Sequence, residues 1–277
     1  IPAKVRKILV AGPLADDKDN LTGVWSASGE GRHCVSLLEG IKSHPASGAI
    51  EITHVKGCDI DSDNKSGFDE ALRAAAGADL IVLAIGEHKD MSGEAASKAM
   101  IRIPGVQEAL LEALSATGKP VVTIVMNGRP LVLSKVHEKS AAVLEAWWLG
   151  TQAGNALADI LFGDYNPSGK LPISFPMHEG QIPVFYSHKN TGRPFDPNSK
   201  WNTKYLDLPN DPLYAFGYGL SYTTFSYSLP GADRTDFSGS QSVSISVDVK
   251  NTGNYDGEEV VQLYVRDLVG SVTRPVK

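Results

Sequence analysis

Residues Leu80–Ile85 (LIVLAI) are apolar without a break. A strand with one wet face alternates apolar and polar side chains, so an unbroken run of this length is a strand covered on both faces. It is far below the roughly 18 residues of a membrane span. Lys7–Ala11 (KILVA), Val121–Met126 and Ala141–Ala146 read as companion strands, and Ile50–Val55 alternates before a Lys56-Gly57 turn. Between them lie helical patterns. Arg32–Lys42 places Val35, Leu38 and Ile41 at helical spacing, and Phe68–Ala76 is rich in strong helix formers. Pro104 opens a helix to Ala116, and Thr151–Leu161 ends at Phe162-Gly163. Strands alternating with helices imply right-handed crossovers and a mostly parallel sheet. The expected fold is therefore a three-layer α/β sandwich over residues 1–162, with ligands at the carboxyl ends of its strands.

The texture changes at Gly163. Asn166-Pro167-Ser168-Gly169, Leu171-Pro172, Thr191-Gly192-Arg193-Pro194 and Phe216-Gly217-Tyr218-Gly219 are dense in turn formers, so 163–224 reads as an extended connector. From 225 to 277 the pattern is β. Val243, Ile245, Val247 and Val249 alternate with polar residues, Asn251-Thr252-Gly253-Asn254 makes a turn, and Glu259–Arg266 is the expected returning strand. A sandwich domain needs about 100 residues and seven strands, and only about 50 residues follow Phe225. With Ile1 rather than Met at the start, the chain reads as part of a longer protein.

A net charge of −6 is a poor match to nucleic acid, which demands a concentrated basic surface. No G-x-G-x-x-G, P-loop, G-x-S-x-G or H-E-x-x-H pattern occurs, so neither a nucleotide cofactor nor a metal is implied. Cys34 and Cys58 have no metal-ligand spacing and are expected as two buried thiols, a single bridge being the alternative. The loop after Leu80–Ile85 is the richest in chemistry. It carries Glu87, His88, Lys89, Asp90 and Glu94, where a ligand of such a sheet sits. A solvated polar loop is the plain alternative. Trp25, in the loop after the first strand, offers an aromatic face for a sugar ring. Trp147-Trp148 are expected in packing, and His188 stands where the connector could bring it to a site. Asn20-Leu21-Thr22 and Asn64-Lys65-Ser66 are formal glycosylation sequons.

Ile8–Asp16, Gly86-Glu87-His88, Asn127-Gly128-Arg129-Pro130, Gly163–Pro172, Thr191–Pro194, Phe216–Tyr222 and Asn251-Thr252-Gly253 occur together and in order. In this the chain resembles the C-terminal portion of glycoside hydrolase family 3, with the look of its bacterial periplasmic β-glucosidase branch. The resemblance implies three parts: a (β/α)8 barrel, the α/β sandwich, and a fibronectin type III-like domain of which 225–277 is the incomplete beginning. It implies a retaining exo-β-glucosidase whose aspartate nucleophile lies on the barrel, outside this chain. The acid/base glutamate carried over is Glu94, with Glu87 as the neighbouring candidate whose place directly beside the strand suggests a structural role, and Trp25, Glu87 and His88 as substrate-side residues. No cofactor is implied. The implied partners are a β-linked glucoside or gluco-oligosaccharide and the barrel itself, with neither nucleic acid nor membrane, in the periplasm or outside the cell. Without the barrel the chain is expected to be inactive. A β-xylosidase of the same family and a non-catalytic sugar-binding module are the competing expectations.

Overall fold

The computed structural model describes residues 1–189, 192–272 and 274–276. Thr191 of the Thr191–Pro194 motif lies outside the described residues. Five parallel strands form one sheet: β1 (Lys7–Ala11), β2 (Glu51–Val55), β3 (Leu80–Gly86), β4 (Val121–Met126) and β5 (Ala142–Glu145), in the order β2-β1-β3-β4-β5. Every residue of β3 is buried, as its unbroken apolar run requires. Helices α1 (Leu37–Ser43) and α5 (Ala153–Phe162) cover one face. On the other lie α2 (Phe68–Gly77), α3 (Gln107–Ser115) and α4 (Ser134–Lys139). The chain is a three-layer α/β fold with a core on each side of the sheet.

Local chemistry moves several element ends from where periodicity puts them. The helix expected over Arg32–Lys42 begins only at Leu37, after a 3-10 turn at Gly31–His33. Ser36 is its N-cap. Its Oγ accepts from the Glu39 N–H at 3.2 Å, and Glu39 Oε2 accepts from the Ser36 N–H at 3.1 Å. This reciprocal pair satisfies two orphan donors, which outweighs the apolar spacing upstream. The helix expected from Pro104 starts at Gln107, because Gly105 takes a left-handed φ of 61° that no helix continues. Helix α4 has too short an apolar pattern to read from sequence.

The described residues of 163–224 carry one short 3-10 turn and fold back over the α4 side, where Phe175 enters the core and packs on Trp147 at 5.7 Å. Asn166 joins the two turn-rich motifs. Its Oδ1 accepts from the Tyr222 N–H at 2.7 Å and the Ser221 hydroxyl at 2.9 Å, while its Nδ2 donates to Asp256 O.

Beyond them are two short antiparallel pairs: β6 (Phe225–Tyr227) with β9 (Val249–Asn251), and β7 (Gly231–Ala232) with β8 (Ile245–Ser246). The alternating run Val243–Val249 is thus split between β8 and the start of β9. Glu259–Arg266 does not form the expected strand. A strand exists only against a partner ladder, and this segment is held by side chains instead: Gln262 Nε2 donates to Gly217 O, and Tyr264 packs edge-on against Tyr186. Cys34 and Cys58 are buried and unpaired, burial pushing the Cys58 thiol up to about 11.

Helices α1 and α5 cross at their glycines. A Cβ placed on Gly40 would stand 2.0 Å from the main-chain oxygen of Gly154, which cannot move as a side chain would. Gly40→Ala gains about 0.5–1 kcal/mol of helix propensity and costs about 1–3 kcal/mol in overpacking. Net destabilisation is expected in urea unfolding. Gly77, at the end of α2 with nothing within 4 Å, is the contrast, and Gly77→Ala is expected to be neutral or stabilising.

Candidate functional site

In the observed order the chain leaves β1 toward β2 on one side and β3 toward β4 on the other. The connections diverge above the β1–β3 junction, and a crevice opens at the carboxyl ends of those strands. The loop after β1 carries Trp25, and the loop after β3 carries Glu87, His88 and Glu94. The two loops are tied. Asn20 is buried, donates from Nδ2 to Asp17 at 2.9 Å and accepts at Oδ1 from the Lys89 N–H at 2.8 Å. Asn20 is therefore a structural tie and not an open glycosylation acceptor, whereas Asn64 is exposed and caps its own turn.

Glu87 follows β3 directly and is 0% exposed. Its Oε1 faces Lys98 Nζ at 3.1 Å, and its Oε2 faces Arg129 Nε at 3.3 Å. In this chain its carboxylate faces inward to these two cations, in keeping with the structural role that its place beside the strand suggests. Arg129, at the β4–α4 connection, also donates from Nη2 to Met91 O and to Ala96 O. His88 caps the 3-10 turn Lys89–Met91, its Nδ1 accepting from the Asp90 N–H at 3.3 Å.

Glu94 is different. Its side chain is exposed and makes no hydrogen bond or ion pair among the described residues. It stands between two left-handed residues, Gly93 (φ 108°) and Ala95 (φ 58°). A non-glycine residue at that φ is strained, and such strain gathers at functional positions. Trp25 is 71% exposed, with its indole against the same loop: a Cβ on Gly93 would lie 3.2 Å from Trp25 Nε1. The structure thus brings Trp25 beside the residue preceding Glu94. His188 is occupied elsewhere, with its Nδ1 at 3.1 Å from Phe185 O.

Gln107 is a residue that sequence reasoning missed. Buried at the start of α3, it accepts from the Gly86 N–H and donates to the carbonyls of Gly86, Ile60 and Pro104, so it pins the root of the acidic loop. The sequence shows only a glutamine three residues after Pro104, and its burial is not readable there. At the other end of the sheet His44, Asp159 and Asp164 bring donor atoms close together. His44 Nδ1 accepts from the Ala46 N–H, so the neutral ring carries its proton on Nε2 and donates it to Asp164 at 3.1 Å. The trio ties the end of α1 to the end of α5, and the ring nitrogen has no lone pair left for a cation.

Glu145 ends β5 and sits in neither ion-pair set. Its Oε1 accepts from the Trp147 N–H, while its Oε2 is shielded from water without a partner. Desolvation pushes its carboxyl well above the usual carboxylate range. Between the ordinary and the raised value the folded chain holds a proton that the unfolded chain has lost, so stability falls as pH rises through that window. Glu145→Gln is expected to match the parent near pH 4 and to exceed it above neutrality. Thermal unfolding across pH checks this, and equal pH slopes for both proteins would count against it.

Known proteins resemble the chain along nearly its whole length. The model of the glycosyl hydrolase family 3 C-terminal domain matches residues 1–222. A periplasmic β-glucosidase of Salmonella typhimurium is 46% identical over 98% of this chain, and a β-xylosidase of Formosa agariphila is 40% identical over 99%. The crystal structure of a β-glucosidase from Listeria innocua superposes over 100% of the chain with a TM-score of 0.92 at 37% identity. In each case the chain spans about 38% of the relative's length. The chain belongs to glycoside hydrolase family 3 and contains its C-terminal domain.

Proposed function

We propose that this chain is the acid/base-bearing part of a retaining, exo-acting β-glucosidase that cleaves terminal β-glucosidic bonds. Glu94 protonates the leaving oxygen and then deprotonates water, while an aspartate on an N-terminal (β/α)8 barrel attacks the anomeric carbon. One observation carries the reading: Glu94 is an unpaired carboxyl on a strained, tethered loop beside an exposed tryptophan, at the crevice of the sheet. The Listeria innocua enzyme has been solved with glucose and with laminaribiose, which supports a β-linked glucoside as the ligand class. The name of the Salmonella relative supports a periplasmic location.

A retaining mechanism sets the two carboxyl groups roughly 5–5.5 Å apart. A general acid also works in an enclosed site, and Glu94 stands in solvent in this chain. Both requirements are met by a cleft between the α/β domain and the barrel, with Trp25 stacking on the sugar beyond the scissile bond. Residues 163–224 then serve as the connector, and residues 225–277 as the start of a fibronectin type III-like domain. The chain alone is inactive on this reading. The 40% identity to a β-xylosidase favours xylose as the second choice of glycone.

In the full-length enzyme Glu94→Ala is expected to lower hydrolysis of cellobiose by about 10²–10⁴-fold and of activated aryl glucosides far less. Azide should restore turnover and yield a β-glucosyl azide. Normal cellobiose hydrolysis by the variant would overturn the assignment. Parallel rates on aryl glucosides and aryl xylosides decide the glycone.

A further inference from the structure

We infer that Arg129 is the positioning residue for the acid/base: its guanidinium clamps the loop on both sides of Glu94 and is itself aimed by buried Glu87. The inference rests on the reading of Glu94 given above. Residues Gly93–Lys98 contain no helix or strand, so their own backbone does not fix the Glu94 carboxyl to the few tenths of an ångström that proton transfer demands. Arg129 supplies that fix from another element. One nitrogen, Nη2, donates to Met91 O, three residues before Glu94, and to Ala96 O, two residues after it. Nε of the same side chain donates to Glu87 Oε2, which fixes the plane of the guanidinium against the end of β3. Lys98 returns to the other oxygen of Glu87, so the loop is closed on the carboxylate from which it starts. Gly128, one residue before Arg129, admits Ser92 so closely that a Cβ there would lie 2.0 Å from its hydroxyl. The loop and the Asn127–Pro130 turn therefore seat against each other as one unit.

Lysine cannot copy this clamp. It keeps the charge opposite Glu87 but lacks a planar fork with donors fixed in three directions. Arg129→Lys therefore separates positioning from the buried charge. In the full-length enzyme, kcat/KM for cellobiose is expected to fall about 10²-fold, the order of loss for a misplacement of about 1 Å. The loss for 2,4-dinitrophenyl β-glucoside should be much smaller, because that leaving group barely needs a proton. The double variant with Glu94→Ala should be no slower than Glu94→Ala alone, since the arginine acts through the glutamate. Equal losses on both substrates, or losses that multiply in the double variant, would overturn the positioning role. If Glu94→Ala also lacks the leaving-group signature, the acid/base reading fails together with this one. If only Arg129→Lys lacks it, the positioning role fails alone. Should Arg129→Lys not fold, the uncharged pair Glu87→Gln with Arg129→Gln is measured in the same way.

Discussion

A carboxylate with no exposed surface holds together the loops at the carboxyl ends of this domain's strands. Taking Glu87 out of water costs several kcal/mol, and only well-placed cations with further hydrogen bonds offset that cost. Lys98 and Arg129 both reach it, one on each oxygen. Hydrophobic residues in place of all three side chains would serve stability as well or better. What the ion pairs add is direction. They join the end of β3, the loop that follows it and the connection after β4, three segments far apart in sequence. Removing either cation would strip one oxygen of Glu87 of its partner where solvent cannot replace it, and removing Glu87 would leave two cations facing each other, so the set behaves as a unit.

That unit depends on the sheet beneath it. β3 is central, with β1 and β4 as neighbours, and its burial on both faces leaves it no freedom to shift register. Glu87 donates its own N–H to Met126 O at 2.9 Å, which continues the β3–β4 ladder one step past the last strand residue. Gln107 closes the same point from the α3 side. The loop thus departs from the most rigid place in the molecule, and irregular backbone begins only after two independent anchors.

Much of the α/β part was legible because its signals are local and redundant. An unbroken apolar run located β3, a run broken only by Thr123 located β4, and strands alternating with helices implied the parallel sheet. Boundaries failed where local chemistry overruled periodicity, as the Ser36 and Glu39 side chains do at α1 and the left-handed backbone of Gly105 does before α3. Glu94 and Trp25 were readable as residue types in loops at strand ends, but not their nearness, which depends on Gly93 packing under Trp25. Glu87 was legible as a carboxylate and not as a buried one. Its partners lie 11 and 42 positions away, and no short motif reports a contact across that distance. Glu259–Arg266 carries a convincing strand pattern, yet strand formation is a property of a pair, and no ladder forms against it here.

The contrast between Glu87 and Glu94 explains why one short loop needs both. A carboxylate that must hold a fixed charge is best buried among cations, and Glu87 is. A carboxyl that must exchange protons with a substrate cannot be tied by strong partners, because each partner would oppose one of its two protonation states. Glu94 has no side-chain partner among the described residues, and the order that the proposed acid/base role calls for comes through the main chain on either side. Left-handed residues flank it at 93 and 95, and the carbonyls of Met91 and Ala96 accept from Arg129. Backbone carbonyls accept from a guanidinium whether or not the neighbouring carboxyl carries a proton. On the proposed reading of Glu94, the restraint on the loop does not depend on the proton that the glutamate would carry, so giving and recovering that proton would leave the loop's geometry unchanged.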